Sequence, residues 1–234
     1  MNDQIRDTNL SYLTLRKALG ILGLLLPFAL ILFNGFEVKS SISHFYYSNA
    51  TVVFTGFMFA FGIFLISYRG RIGDNVIIND NAVTSIGGAA AIATACIPTA
   101  FCSDTDDPLI IGDQFAHYCN NEGLTLQFIH NDSFLGTVHL ICAGLFLVLM
   151  GYMSFFRFTK GDKTNKLKIN FYRFCGVMVW LPVLFLGFNF KFEFVKNEYI
   201  VLICEWIALL FFGFAWMVKG KTFEKLKNDN ATVK

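Results

Sequence analysis

Charged side chains are scarce in this chain: they make up 15% of its 234 residues, against 55% hydrophobic ones and a mean hydropathy of +0.53. A soluble domain needs more polar surface than that, so the composition excludes one and predicts an integral membrane protein. The apolar stretches also lack the two-residue alternation of barrel strands, and lipid requires every backbone group to find its partner internally. Helices are therefore expected, and the fold class is all-α. A signal-peptide cleavage site is missing too. Arg16 and Lys17 precede the first apolar run, but no small-x-small tripeptide follows in Phe33-Asn-Gly-Phe-Glu-Val-Lys39, so the first helix is expected to be retained.

What the chain does have is six apolar windows, at roughly 18–36, 46–68, 81–103, 133–156, 172–190 and 199–218. Each approaches or exceeds the ~17–25 residues that cross a hydrocarbon layer ~30 Å thick. The connections are too short for a second domain, which makes residues 1–234 a single six-helix transmembrane bundle.

Basic residues are nearly missing from one side of that bundle. With the windows alternating in direction, sixteen of the nineteen Lys and Arg residues fall on one side and only Lys39, Lys191 and Lys196 on the other. Basic loops are retained in the cytoplasm, so both termini are expected there. The loop between the third and fourth windows is the mirror case. It carries Asp104, Asp106, Asp107, Asp113, Glu122 and Asp132 with no Lys or Arg, and belongs outside. A pI near 8.2 does not imply a nucleic-acid partner here, because the basic residues sit at helix ends where they match anionic head groups. Membrane lipids are the expected partners.

Helices in lipid associate through small residues. Gly87, Ala91 and Ala95 recur every four residues and place the third helix at the centre of the bundle, while Gly56 and Ala60 repeat the pattern in the second. Pro98 is expected to kink the third helix near its outer end, freeing a carbonyl for Thr94 or Thr99. The 28 phenylalanines read as lipid-facing and gap-filling mass.

Only two strongly ionisable side chains lie well inside the windows, His139 and Glu205, and burying such groups in a membrane is expensive enough to suggest a function. Each is six residues from the outer start of its window, about 9 Å deep at 1.5 Å per residue. They are expected to face each other across a shared pocket, either as a direct structural bond or as the wall of a site. Above them lies the polar, aromatic segment Ser40-Ser-Ile-Ser-His-Phe-Tyr-Tyr-Ser-Asn49. Ser41, Ser43, Tyr46 and Tyr47 of this segment, with Thr99, complete the candidate lining; the tyrosines equally suit an interfacial belt, and the serines a helix cap. No metal site is expected, since neither His-x-x-x-His nor Glu-x-x-His occurs. The interior of the cytoplasmic half offers little polarity, so the polar layer reads as one-sided. Cys96, Cys142, Cys175 and Cys204 lie within windows as small apolar residues, whereas Cys102 and Cys119 share the outer loop and are expected to form a disulfide.

Taken together, Ser41-Ile-Ser-His-Phe-Tyr46, Tyr68-Arg-Gly70, Pro98-Thr99, His139, Glu205-Trp-Ile-Ala208 and Trp216-Met-Val-Lys-Gly220 resemble a family of bacterial six-helix membrane proteins of unknown function. In that family a Ser-Ile-Ser-x-aromatic-Tyr pattern precedes the second span, with His44 here at the variable place. The resemblance implies a bacterial cytoplasmic membrane and no particular reaction or cofactor. A weaker similarity is to membrane hydrolases of the ceramidase and progestin-receptor type, whose paired histidines in a late helix have no counterpart in the sixth window. Three classes of function follow: a small-molecule or lipid head-group site, a lipid hydrolase using Ser41 or Ser43 with His139 or Glu205 as base, and a structural or accessory subunit.

Overall fold

A computed structural model describes residues 2–70, 79–99, 125–126, 129–130, 133–161 and 165–221. Among them are six α-helices: α1 (Asn2–Phe33), α2 (Thr51–Ser67), α3 (Asp80–Cys96), α4 (Ser133–Tyr152), α5 (Lys166–Phe192) and α6 (Ile200–Lys219). The β structure among the described residues is one pair of two-residue antiparallel strands, with Thr125 opposite His130 and Leu126 opposite Ile129. Four segments, Tyr12–Phe33, Phe134–Lys160, Lys166–Phe192 and Ile200–Lys219, are long and apolar enough to cross a bilayer, as expected of a membrane protein. The two shorter helices, α2 and α3, have 17 residues each. Cys102 and Cys119 lie outside the described residues, and the four cysteines within them are free thiols.

Consecutive helices are neighbours all the way round, and α6 packs back against α1 to close the ring. α3 occupies a place in this ring between α2 and α4, which corrects the expectation that it forms the centre. The centre is filled instead by three phenylalanines from alternate helices. Phe61, Phe146 and Phe212 meet with ring centroids 5.5–5.9 Å apart and are almost wholly buried. Rings of this size reach the axis from helices that are themselves held apart by side chains.

Where helices touch backbone to backbone, glycine is the reason. Gly62 and Gly88 face each other across α2 and α3, and a Cβ on Gly88 would lie 2.6 Å from the Gly62 carbonyl oxygen. Gly20 and Gly213 do the same for α1 and α6, with each other's carbonyl 2.9 Å from the added carbon. Such approaches are how helices gain packing contact in lipid, where no hydrophobic drive separates them from solvent. Gly56 is exposed with open space around it, so the close contact of α2 with α3 runs through Gly62 and not through the expected Gly56.

Pro98 ends α3 rather than kinking it. The residue before a proline is pushed out of the helical region, and Ile97 accordingly has φ −96° and ψ 118° as the cap of a helix that stops at Cys96. α4 continues past Tyr152 into a π-helical turn, Met153–Arg157, and a short 3-10 turn, Phe158–Gly161.

Candidate functional site at the mouth of the bundle

Between α1 and α2 the chain does not run straight into the second apolar helix. Residues Ser43–Tyr47 form a 3-10 turn, and this whole segment is pressed into the end of the bundle: Ser41, Ser43, Phe45, Tyr46 and Tyr47 are all buried. The interfacial-belt placement of the two tyrosines is thereby corrected. Tyr46 packs edge-on to Tyr47 and Phe54, and the Tyr47 hydroxyl donates to the Thr99 carbonyl at 2.5 Å. Burial, and secondarily the neighbouring Tyr46, push the Tyr47 hydroxyl above its usual pKa, so it stays a donor at any ordinary pH. The serine hydroxyls shape the turn itself. Ser41 Oγ accepts from the Ser43 amide at 3.0 Å and Ser48 Oγ from the Ala50 amide at 3.1 Å, bonds that offer the backbone an alternative to regular helix.

The segment also caps α6. The first amides of a helix lack partners within it, and here the Leu202 amide donates to the Ser40 carbonyl at 3.0 Å. One turn further along α6, Glu205 reaches back. Its Oε2 accepts from the Ile42 amide at 2.7 Å and its Oε1 from the Ser41 hydroxyl at 3.4 Å.

His139 meets the same tripeptide from α4. The ring is fully buried, with Nδ1 2.6 Å from the Ile97 carbonyl and Nε2 2.8 Å from Ser43 Oγ. A carbonyl only accepts, so Nδ1 carries the ring proton. The neutral ring then leaves Nε2 to accept from the Ser43 hydroxyl. Pro98 matters here, because the extended Ile97 it enforces turns an end-of-helix carbonyl toward His139 instead of leaving it in the helix. Thr94 and Thr99 were the expected partners of a freed carbonyl; Thr94 instead bonds within its own helix, to Ala90.

The two ionisable groups singled out from the sequence therefore converge on Ser41-Ile-Ser43, but they bond that tripeptide and not each other. Of the candidate lining residues, Ser43 and Glu205 border a small cavity beneath the segment; Ser41, Tyr46, Tyr47, Thr99 and His139 do not. His44, at the edge of the segment, is bonded to Ser40 Oγ at 2.7 Å through Nδ1. Burial first, and after it the neighbouring His139 and Lys39, lower its pKa to about 4. Among the described residues no three His, Cys, Asp or Glu side chains are grouped to hold a metal ion.

Sequence reasoning missed the other end of the bundle. Asp80 and Arg157 are both buried there, and Arg157 Nε donates to Asp80 Oδ1. Buried polarity is thus not confined to one end. Close by, Arg16 donates to the Tyr68 hydroxyl at 3.2 Å, and the Gly70 amide donates to Asn81 Oδ1 at 2.7 Å. The available signal was an acidic residue opening one apolar helix and an arginine closing another on the same side. The chain matches no protein-family model, no curated protein and no solved structure.

Proposed function

We propose that the Ser41–Ser43 mouth, with Glu205 and His139 behind it, binds the polar head of a lipid or a comparable small molecule, with the 40–50 segment as the element that closes over it. The observation that carries this reading is the convergence of a carboxylate and an imidazole from two helices on one tripeptide. Glu205 and Nε2 of His139 both act as acceptors there. A ligand that replaces the tripeptide on those groups must donate hydrogen bonds, which selects ammonium or hydroxyl head groups over trimethylammonium or bare phosphate. In this reading the protein is a six-span bundle of a bacterial cytoplasmic membrane with both termini cytoplasmic and the mouth outside, as the division of basic residues supports. Reporter fusions after Lys234 and at Lys39 test that arrangement, and equal signals from the two sides reject it.

The ligand class is tested in nanodiscs that differ only in ethanolamine versus choline head groups. Native mass spectrometry should find ethanolamine lipid retained in preference to choline lipid, and Glu205→Gln should abolish the preference. Equal retention of both lipids by the wild-type protein refutes the reading.

The bond from Ser43 to a histidine whose far nitrogen is fixed by a carbonyl favours one other reading, an ester hydrolase. Ser43 Oγ would add to an ester carbonyl as its proton passes to Nε2, the proton would leave with the alcohol, and water would then release the acyl group. A fluorophosphonate should in that case label Ser43 in wild type and not in His139→Gln. Absence of labelling in the folded protein dismisses the enzyme.

A further inference from the structure

The cavity beneath Ser43 has a volume of about 40 Å3 and is walled by side chains of α1, α2, α3, α4 and α6. Ile42 and Ser43 border it on the side of the mouth, and Phe146 borders it from the central trio of rings, so the space lies on the axis between the two. Its surface is almost wholly apolar, carried by Leu26, Phe54, Met58, Phe146, Leu147 and Leu209. The polar groups at its edge are bonded to other parts of the protein: Ser43 to His139 at 2.8 Å, Thr94 to the Ala90 carbonyl at 2.9 Å, and Glu205 to the Ile42 amide at 2.7 Å. A buried water wants roughly two to four polar partners, and a wall of carbon does not offer them. A guest here gains by leaving water, and a water's share of its liquid, ~30 Å3, sizes that guest at about one or two carbons.

Ser43 and Glu205 belong to both places, bordering the cavity and bonding at the mouth. A head held at the mouth therefore stands next to the apolar space. We propose that the ligand of the mouth is a short amphiphile: a primary ammonium or hydroxyl head takes the tripeptide's place on Glu205 and His139, and a terminal alkyl group of about one or two carbons beyond it fills the cavity. This ligand class rests on the head-group reading of the mouth and narrows it. An ethanolamine lipid satisfies the mouth alone, since its phosphate follows too closely on the amine to enter carbon, whereas a free alkylamine satisfies mouth and cavity together.

The test is thermal unfolding of the purified protein in one detergent, with methyl-, ethyl-, propyl- and butylammonium chloride titrated at constant pH and ionic strength. Apparent affinity should rise about fourfold with each carbon from methyl to propyl and stop rising at butyl, when the cavity is full. Ala143→Val, which fills the space from α4, should flatten the series to the methylammonium value. Leu147→Ala, which enlarges it, should carry the rise on to longer chains. A wild-type series that is flat, or that climbs past butyl with the same slope in all three proteins, overturns the cavity's part; methylammonium binding then leaves the mouth reading in place. No binding of any ammonium ion overturns the proposal outright, and the nanodisc preference, read separately, decides whether the mouth reading falls with it.

Discussion

At one end of the bundle Asp80 and Arg157 bury opposite charges in direct contact; at the other, Glu205 is held by an amide and a hydroxyl of the 40–50 segment and His139 by a hydroxyl of that segment and the Ile97 carbonyl, with no Lys or Arg among the described residues paired to either. The first arrangement sets opposite charges directly against each other. The second is complete in hydrogen bonds but not in charge. A buried pair of the first kind fixes helices α3 and α4 at one relative position, whereas a carboxylate without a fixed counter-charge is open to protons, ions or donor-bearing ligands. The contrast separates a fastening end from a responsive end.

The largest way to break that contrast is to unbalance the fastened end. Arg157→Met should destabilise the protein by about 3–5 kcal/mol, because it takes the guanidinium away from a buried carboxylate. Adding Asp80→Asn should restore much of the loss, as followed by denaturant titration in micelles. A loss that simply adds across the two substitutions would show that the ends do not differ in this way. At the responsive end, Ser43→Ala should cost about 1–3 kcal/mol by leaving Nε2 of His139 buried and unpaired. Ser43→Thr, which keeps the hydroxyl, should recover part of it in the same titration.

The smallest expected effect sharpens the comparison through pH. His44 in the folded protein has its pKa lowered to about 4 from 6.5, so between those values the unfolded chain binds more protons than the folded one. Stability from this group is then complete above about 6.5 and falls as the pH drops toward 4. At about 1.4 kcal/mol per unit the loss stays below roughly 3 kcal/mol, because part of the ring is open to solvent. Tm measured from pH 7 to pH 4 should decline more steeply for wild type than for His44→Gln. Parallel profiles would remove His44 from the responsive end.

Much of the fold was legible because membrane helices announce themselves by depletion of charge. The windows beginning at 133 and 199 lie within a residue of the observed starts, Ser133 and Ile200, since in each case polar residues stop abruptly. The start of α2 was misread for the complementary reason. Phe45, Tyr46 and Tyr47 are as apolar as a span, so hydropathy runs through a 3-10 turn without registering it. His139 and Glu205 stood out as lone ionisable groups in apolar runs, but their partners depended on how a ten-residue segment folds inward. Nothing in their spacing encodes that. Gly56 and Gly62 are equally small in sequence, and only the crossing of α2 with α3 decides which one is pressed against a neighbour. Arg157, just past the window ending at 156, was counted only among the basic residues at helix ends, because the period of an ordinary helix gives no warning of the π turn that buries it.

The two bonds from the 40–50 segment to α6 also have a mechanical meaning. They grip the helix at Leu202 and Glu205, one turn apart, from a strand of chain that is tethered directly to the end of α1. The other half of α6 is seated against α1 through Gly20 and Gly213. A piston stroke of α6 by a single 5.4 Å turn would have to shear both grips together and drag side chains across that glycine seat. Axial sliding of this helix is thereby opposed at both of its ends at once.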